Sequence, residues 1–134
     1  MNTVLPAALR YFLIVFAAGF VFGTIRTLSI DDTPDARLMA VAIELPAILL
    51  VSWLASAHAT KRYNVPSTSA TRLAMGGAAF GLLMLAELLL DLALAGRTVA
   101  EHFAAYGEAS HQLGLAGQVA FALFPLIQSA RRGN

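Results

Sequence analysis

The fold is decided by the stretch LAMGGAAFGLLMLAELLLDLALA at residues 73–95, which is apolar apart from Glu87 and Asp91. A run of about 20 apolar residues can cross about 30 Å of hydrocarbon as an α-helix. Because lipid offers no hydrogen bonds to the backbone, a segment that crosses it must satisfy its own polar groups. The stretch therefore predicts a transmembrane helix.

Working outward, three more stretches have the same character: residues 9–28, 38–57 and 113–130. The whole chain of 134 residues is 58% hydrophobic and only 13% charged, whereas soluble domains carry about 25% charged residues. We therefore expect an all-α fold, a four-transmembrane-helix bundle in a single integral membrane domain over residues 1–134. Between the last two spans, residues 98–110 could form an interfacial helix with Val99, Phe103 and Tyr106 on its apolar side.

The distribution of cations predicts the orientation. With the N-terminus inside, six of the nine Lys and Arg residues face the cytoplasm, in agreement with the positive-inside rule. Both termini are then cytoplasmic, and Tyr11 and Trp53 are expected at the membrane boundaries, with Trp53 toward lipid. The inner set is Arg10, Lys61, Arg62, Arg72, Arg131 and Arg132, and the outer set is Arg26, Arg37 and Arg97.

Polar side chains inside the spans concentrate in the outer half of the predicted bundle. An acid near the centre of a bilayer costs about 2.5–3.5 kcal/mol, so such residues face the bundle interior, find a partner or protonate. Every span contributes at least one polar residue at a similar depth. The expected buried polar cluster consists of Arg26, Glu44, Glu87, Asp91 and Gln118.

Small residues mark the expected packing faces, because they let helix backbones approach closely. Gly19 and Gly23 share the face of Arg26, and Gly76 shares the face of Glu87. The pair Gly77 and Gly81 lies about 100° away from Glu87. That pair could therefore pack against another helix of the same chain or against a second subunit.

Two prolines interrupt predicted spans. Pro46 and Pro125 lack an N–H, so each frees the carbonyl four residues earlier and favours a kink. The freed carbonyl of Ala42 would lie near Glu44 and could contribute to a cation or proton site. A kink that only shapes the bundle is the alternative.

The polar cluster has two interpretations. In a structural lock, Arg26 pairs with Glu44 or Glu87 and sets the register of the helices. In a functional site, the carboxylates bind or relay a cation or proton. Three acids accompany one arginine, so at least one acid must protonate, bind something or reach water.

No catalytic motif, metal motif or cofactor site is recognisable, and the chain has no cysteine. His102 and His111 accompany Glu101 and Glu108 in the last connection, a combination that could bind a metal, although contact with lipid headgroups explains it more simply. A membrane enzyme that uses these histidines is the third functional hypothesis. A net charge of +1 gives no indication of nucleic-acid binding.

The segments YFLIVFAAGFVFG (residues 11–23), Glu44-Leu45-Pro46 with Ser52-Trp53, RLAMGGAAF (residues 72–80) and Glu87 form a series. With these segments the chain resembles a group of small bacterial four-helix membrane proteins that have no established activity. The resemblance implies a multi-pass location in the bacterial inner membrane. A structural or accessory protein that forms oligomers or supports another membrane protein is the first functional expectation, and a proton- or cation-linked small-solute carrier or channel is the second.

Overall fold

A computed structural model describes residues 3–132. Within that range the chain forms five α-helices and one 3-10 turn, and four of the helices are long and apolar enough to span a membrane. The predicted all-α class with four candidate membrane helices is therefore confirmed. The helices are α1 (Val4–Ser29), α2 (Pro34–Arg62), α3 (Ser69–Ala93), α4 (Val99–Ala104) and α5 (Ala109–Arg132), with the 3-10 turn at Ala105–Gly107.

Threonine side chains cap the starts of three helices. The hydroxyl of Thr33 accepts the amide of Ala36, and Thr68 caps α3 in the same way. At α4 the Thr98 hydroxyl accepts the amide of Glu101, whose carboxylate accepts the amide of Thr98 in return. Since these caps satisfy amides that the first helical turn leaves free, they define where α2, α3 and α4 begin.

The four long helices form a bundle in which consecutive helices are not always neighbours. Helix α1 packs against α2 and α3, and α5 packs against the same two helices. The described parts of α1 and α5 thus lie diagonally opposite, as do those of α2 and α3. The short connection between α2 and α3 must cross the end of the bundle, and Val65 in that connection is buried.

The bundle has two halves of different character. One half contains the start of α1, the end of α2, the start of α3 and the end of α5, and we call it the terminal half. We call the other half, which lies next to α4, the α4 half. In α1 the buried residues run from Val4 to Val15, and in α2 they run from Ser52 to Thr60. The terminal half is therefore densely packed, whereas the α1 and α2 segments of the α4 half contain no buried residue.

Close packing in the terminal half depends on Gly76. A Cβ atom at this position would lie 1.8 Å from the backbone oxygen of Ala122, so α3 and α5 touch backbone to backbone. By contrast, a Cβ at Gly77 or Gly81 would meet nothing within 4 Å, and both residues are exposed. In the described structure this pair therefore does not pack against another helix of the same chain, which leaves contact with a second subunit as the other alternative.

Tyr11 is buried in the core of the terminal half, so it does not project outward as a residue of an aromatic belt would. Its ring stacks on Phe121 at a centroid distance of 4.1 Å, and its hydroxyl donates to the Phe121 carbonyl at 2.6 Å. That carbonyl is the one that Pro125 frees, because proline has no N–H to return to the residue four positions earlier. The Tyr11 hydroxyl on α1 thus provides the hydrogen bond that this carbonyl of the diagonally opposite helix α5 lacks.

Trp53 is half-buried: its ring meets Phe124 edge to face at 5.2 Å, and the guanidinium of Arg131 lies over it, so only part of the ring is left to face lipid as expected. The predicted interfacial helix over residues 98–110 is shorter, because α4 ends at Ala104. Val99 and Phe103 remain exposed, but Tyr106 turns toward the bundle.

Candidate functional site

The α4 half contains an open cavity of about 810 Å³ between the four long helices. Its floor is formed by one buried residue from each of them: Val15, Ser52, Leu83 and Phe121. Its rim includes Tyr106 and other side chains of the connection between α3 and α5. The lining is mostly apolar and aromatic with a few polar groups, as is typical of small-molecule sites.

All five residues of the predicted polar cluster line this cavity. Because they come from four different helices, the cavity wall carries polar groups on every side. The structure thus brings together Arg26, Glu44, Glu87, Asp91 and Gln118.

The cluster is divided into separate pairs. Arg26 Nε lies 3.5 Å from Glu44 Oε2, which joins α1 to α2. The amide of Gln118 donates to Glu87 Oε1 at 2.6 Å, which joins α5 to α3. The sequence left open whether Arg26 pairs with Glu44 or Glu87, and the structure selects Glu44.

Asp91 has partners that the sequence analysis did not assign to it. Its Oδ2 lies 2.6 Å from Nδ1 of His102 and 3.8 Å from the guanidinium of Arg97. His102 is buried, so the expectation of a headgroup-facing histidine is wrong for this residue. The sequence feature that could have indicated this contact is an acid near the end of a membrane helix that is followed, across a short turn, by a histidine.

The rim is held by ionic contacts between the last connection and the long helices. Arg37 donates to Glu108 from both Nε and Nη2 and also contacts Asp32. The hydrogen bonds from Arg37 hold the pKa of Glu108 below its usual range. His111 Nδ1 lies 3.3 Å from Glu108 Oε2, so α2 and the start of α5 share one polar contact region.

Tyr106 reports the electrostatic character of the cavity. Burial raises the pKa of its hydroxyl, and the carboxylates of Glu87 and Asp91 add to the effect. The hydroxyl makes only a long contact of 3.9 Å with the sulfur of Met84. The cavity therefore resists the formation of a further negative charge.

Glu87 is distinguished from the other two acids by its contacts. Glu44 has a guanidinium within 4.0 Å, and Asp91 has both a guanidinium and an imidazole. Among the ion pairs of residues 3–132 none includes Glu87, and its hydrogen bond comes from a neutral amide. A carboxylate in hydrocarbon without a cationic partner must protonate, attract a cation or be hydrated.

The predicted packing and kink residues separate into two groups. Gly19 and Gly23 line the cavity, and a Cβ at Gly19 would meet nothing within 4 Å, so these two do not mark a close helix contact. Pro46 is exposed and does not line the cavity, which argues against a site built on the carbonyl of Ala42. Pro125, in contrast, is buried in the contact between α3 and α5.

Arg72 is the most buried cation of the described chain and was expected only as a cytoplasmic charge. Its guanidinium donates to the carbonyls of Pro66 and Pro125, both at 3.1 Å, and to that of Val65. The arginine thus connects the α2–α3 turn to α5. No periodicity in the sequence distinguishes it from its exposed neighbours.

Within residues 3–132 no group of three or more metal-binding side chains lies close enough to hold an ion. Two of the buried serines connect parts of the bundle, since Ser56 donates to Gln128 and Ser129 donates to the carbonyl of Ser67. No protein-family model matches the chain, and neither a curated protein nor a solved structure matches it.

Proposed function

We propose that this membrane protein is a proton- or cation-linked carrier or channel for a small solute, with Glu87 as the group that exchanges its proton or cation. The single observation that carries the proposal is that Glu87 lines a cavity of about 810 Å³ while its hydrogen bond comes from the neutral amide of Gln118. This volume is within the range of about 300–1,000 Å³ that small-molecule sites occupy.

The other acids have supporting parts in this proposal. Arg26 and Glu44 form a neutral pair that holds α1 against α2, and Asp91 with His102 holds α4 against α3. Arg26 balances the charge of Glu44, and the guanidinium of Arg97, 3.8 Å from Asp91 Oδ2, balances that of Asp91. With histidines neutral, the cavity lining carries two arginines, Arg26 and Arg37, against the three acids, so a cationic or proton-accompanied solute is favoured over an anion.

A structural or accessory role is the second candidate, and one observation favours it. Gly77 and Gly81 lie exposed on α3 with open space beside them, a face that another helix could approach closely. The two roles are compatible, since four helices make a thin wall around a pathway and a second copy would complete it. We assign no reaction and no catalytic residue, and we infer that the lipid bilayer and a second subunit or another membrane protein are its partners.

We also propose that both termini are cytoplasmic and that the membrane is the bacterial inner membrane. Support for the orientation comes from the positive-inside rule, because six of the nine Lys and Arg residues lie at the terminal end of the bundle. Cysteines introduced singly at Asp32 and Tyr63 would test it by labelling from each side. Labelling of both from the same side would contradict it.

The proposal is tested by the protonation of Glu87 in reconstituted protein. Infrared spectra recorded across a pH titration should contain a protonated-carboxyl band that is absent from Glu87→Gln and retained in Asp31→Asn, whose acid is exposed outside the cavity. A pH-driven flux measured in proteoliposomes with an entrapped pH dye should fall to the level of empty vesicles in Glu87→Gln alone. Glu87→Asp, which keeps the acid, should retain part of the flux.

Two results would reject this function. If the infrared titrations of the wild type and Glu87→Gln were identical, Glu87 would not exchange a proton. If Glu87→Gln unfolded while Glu87→Asp was stable and conducted nothing, the carboxylate would belong to a structural lock. The mass of the purified complex shows, for either proposed function, whether the protein is a monomer or an oligomer.

A further inference from the structure

A second pocket lies at the other end of the molecule, at the end of the terminal half between α2 and α5. It has a volume of about 390 Å³. The pocket does not share a residue with the cavity of the α4 half. Its lining consists of Trp53, Ala57, Thr60, Lys61, Arg72, Gln128 and Arg131.

The charge of this pocket is entirely positive. Three of the seven lining residues are cations, and none is acidic. Acidic side chains are also distant in the sequence, since every Asp and Glu of the chain belongs to the α4 half or its connections. The pocket is therefore electrostatically suited to an anion.

The back wall of the pocket is rigidly built. Arg72 is about 1% exposed and is held by the carbonyls of Pro66 and Pro125. The amide of Gln128 donates to the Trp53 carbonyl at 2.8 Å, while its oxygen accepts from Ser56 at 2.7 Å. Arg72 thus supplies a fixed positive charge behind the pocket, and direct contacts with an anion fall to the residues at its mouth.

The mouth of the pocket is different, because its two cations are exposed. Lys61 lies in the last turn of α2, and Arg131 near the end of α5 places its guanidinium 5.6 Å from the centre of the Trp53 ring. Tryptophan and basic side chains at helix ends are typical of the headgroup level of a bilayer. Apolar side chains such as Leu54 and Ile127 remain exposed on the same two helices, where acyl chains would lie.

We propose that this pocket binds the phosphate-bearing headgroup of an anionic glycerophospholipid from the leaflet at the terminal end. Lys61 and Arg131 contact the phosphate, and Trp53 contacts the glycerol region. Basic pockets between membrane helices recognise anionic headgroups by the same physical chemistry. This inference is independent of the proposed transport function.

The chain contains a single tryptophan, so the fluorescence of Trp53 reports on this pocket alone. The protein is reconstituted in phosphatidylcholine vesicles that contain a minor fraction of phosphatidylglycerol. Bromine atoms on the acyl chains of one lipid or the other quench nearby tryptophan. We expect brominated phosphatidylglycerol to quench Trp53 more strongly than an equal fraction of brominated phosphatidylcholine.

The decisive comparison uses two double variants that remove equal charge from the same end. Lys61→Gln with Arg131→Gln should lower the preference for phosphatidylglycerol about 25-fold, from about fivefold per cation. Arg10→Gln with Arg62→Gln should change it much less, because both guanidiniums lie over the Tyr63 ring and neither residue lines the pocket. The quenching of each variant is calculated relative to the fluorescence of the same variant in unbrominated vesicles. This normalisation corrects for the loss of Arg131 beside the Trp53 ring.

Three outcomes would overturn the inference. Equal quenching by the two brominated lipids in the wild type would show that the pocket does not select an anion. Equal losses in the two double variants would show diffuse attraction to the surface. A change of Trp53 fluorescence on adding inorganic phosphate to unbrominated phosphatidylcholine vesicles, without preferential quenching by brominated phosphatidylglycerol, would assign the pocket to a soluble phosphate instead of a lipid.

Discussion

The hydrogen bond between Tyr11 and Phe121 provides the sharpest test of the packed terminal half. Tyr11→Phe removes only the hydroxyl, because the phenyl ring can keep its stacking on Phe121. The Phe121 carbonyl then loses its donor, and Pro125 offers no amide to replace it. An unsatisfied buried carbonyl costs about 1–3 kcal/mol, and hydrogen bonds within membrane proteins have measured up to about 1.7 kcal/mol. We therefore expect a loss of about 1–2 kcal/mol in the free energy of unfolding.

A double-mutant cycle with Pro125→Ala isolates this cause. Alanine at position 125 supplies an amide to the Phe121 carbonyl, so the Tyr11 hydroxyl is no longer its sole donor. In that background Tyr11→Phe should cost less than about 0.5 kcal/mol. The measurement is unfolding by dodecyl sulfate in mixed micelles, followed by circular dichroism. Tyr63→Phe serves as the control, since the Tyr63 hydroxyl accepts a bond from Arg10 in a partly exposed position.

An equal loss of unfolding free energy for Tyr11→Phe in both backgrounds would contradict this role of Pro125. The hydroxyl would then stabilise the protein without reference to the carbonyl that proline frees. A cost near zero in the wild-type background would have the same consequence, because it would mean that the Phe121 carbonyl finds another donor.

Two further predictions concern other parts of the bundle. Gly76→Ala should lower the free energy of unfolding by about 1–3 kcal/mol, because its Cβ would overlap the Ala122 oxygen. Gly77→Ala is the control, and in the same dodecyl sulfate titration it should change that free energy by no more than about 0.5 kcal/mol. For Glu108, hydrogen bonds from Arg37 lower the folded-state pKa, so its stabilising contribution is present above its unfolded pKa of about 4.3 and is lost as the pH falls through the folded value. The protease sensitivity of the connection between α3 and α5, measured across an acid titration, should rise at this pH in the wild type and not in Glu108→Gln. An acid transition that is the same in the variant as in the wild type would contradict this prediction.

The sequence was sufficient to predict the four long helices and the grouping of the polar residues around one cavity. Hydrocarbon penalises each exposed carboxylate and backbone group separately, so the four candidate spans and the inward direction of Glu44 and Glu87 follow from single residues. Such penalties act on one residue at a time and need no knowledge of the partner helix. For this reason the cavity contains the whole set that sequence reasoning grouped.

The choice of partners could not be predicted in the same way. Glu44 and Glu87 lie on α2 and α3, and both helices neighbour α1, so adjacency alone does not decide which acid Arg26 meets. The decision depends on small differences in rotation and depth, which a rule of about 100° per residue does not resolve. His102 was missed for a related reason, because its burial depends on the path of a connection and not on any helical periodicity.

The contrast between the two halves follows from how each satisfies its polar groups. In the terminal half, Tyr11 and Arg72 donate to backbone carbonyls, so no carboxylate is needed and the helices can pack to backbone contact at Gly76. In the α4 half three carboxylates line the cavity, and Glu87 lacks a cation of its own among the described ion pairs. Apolar side chains packed against it would remove the water or cation that an ionised Glu87 requires. A chain with this distribution of charges therefore keeps one half closed and leaves the other open, and any movement linked to protonation of Glu87 should begin in the open half.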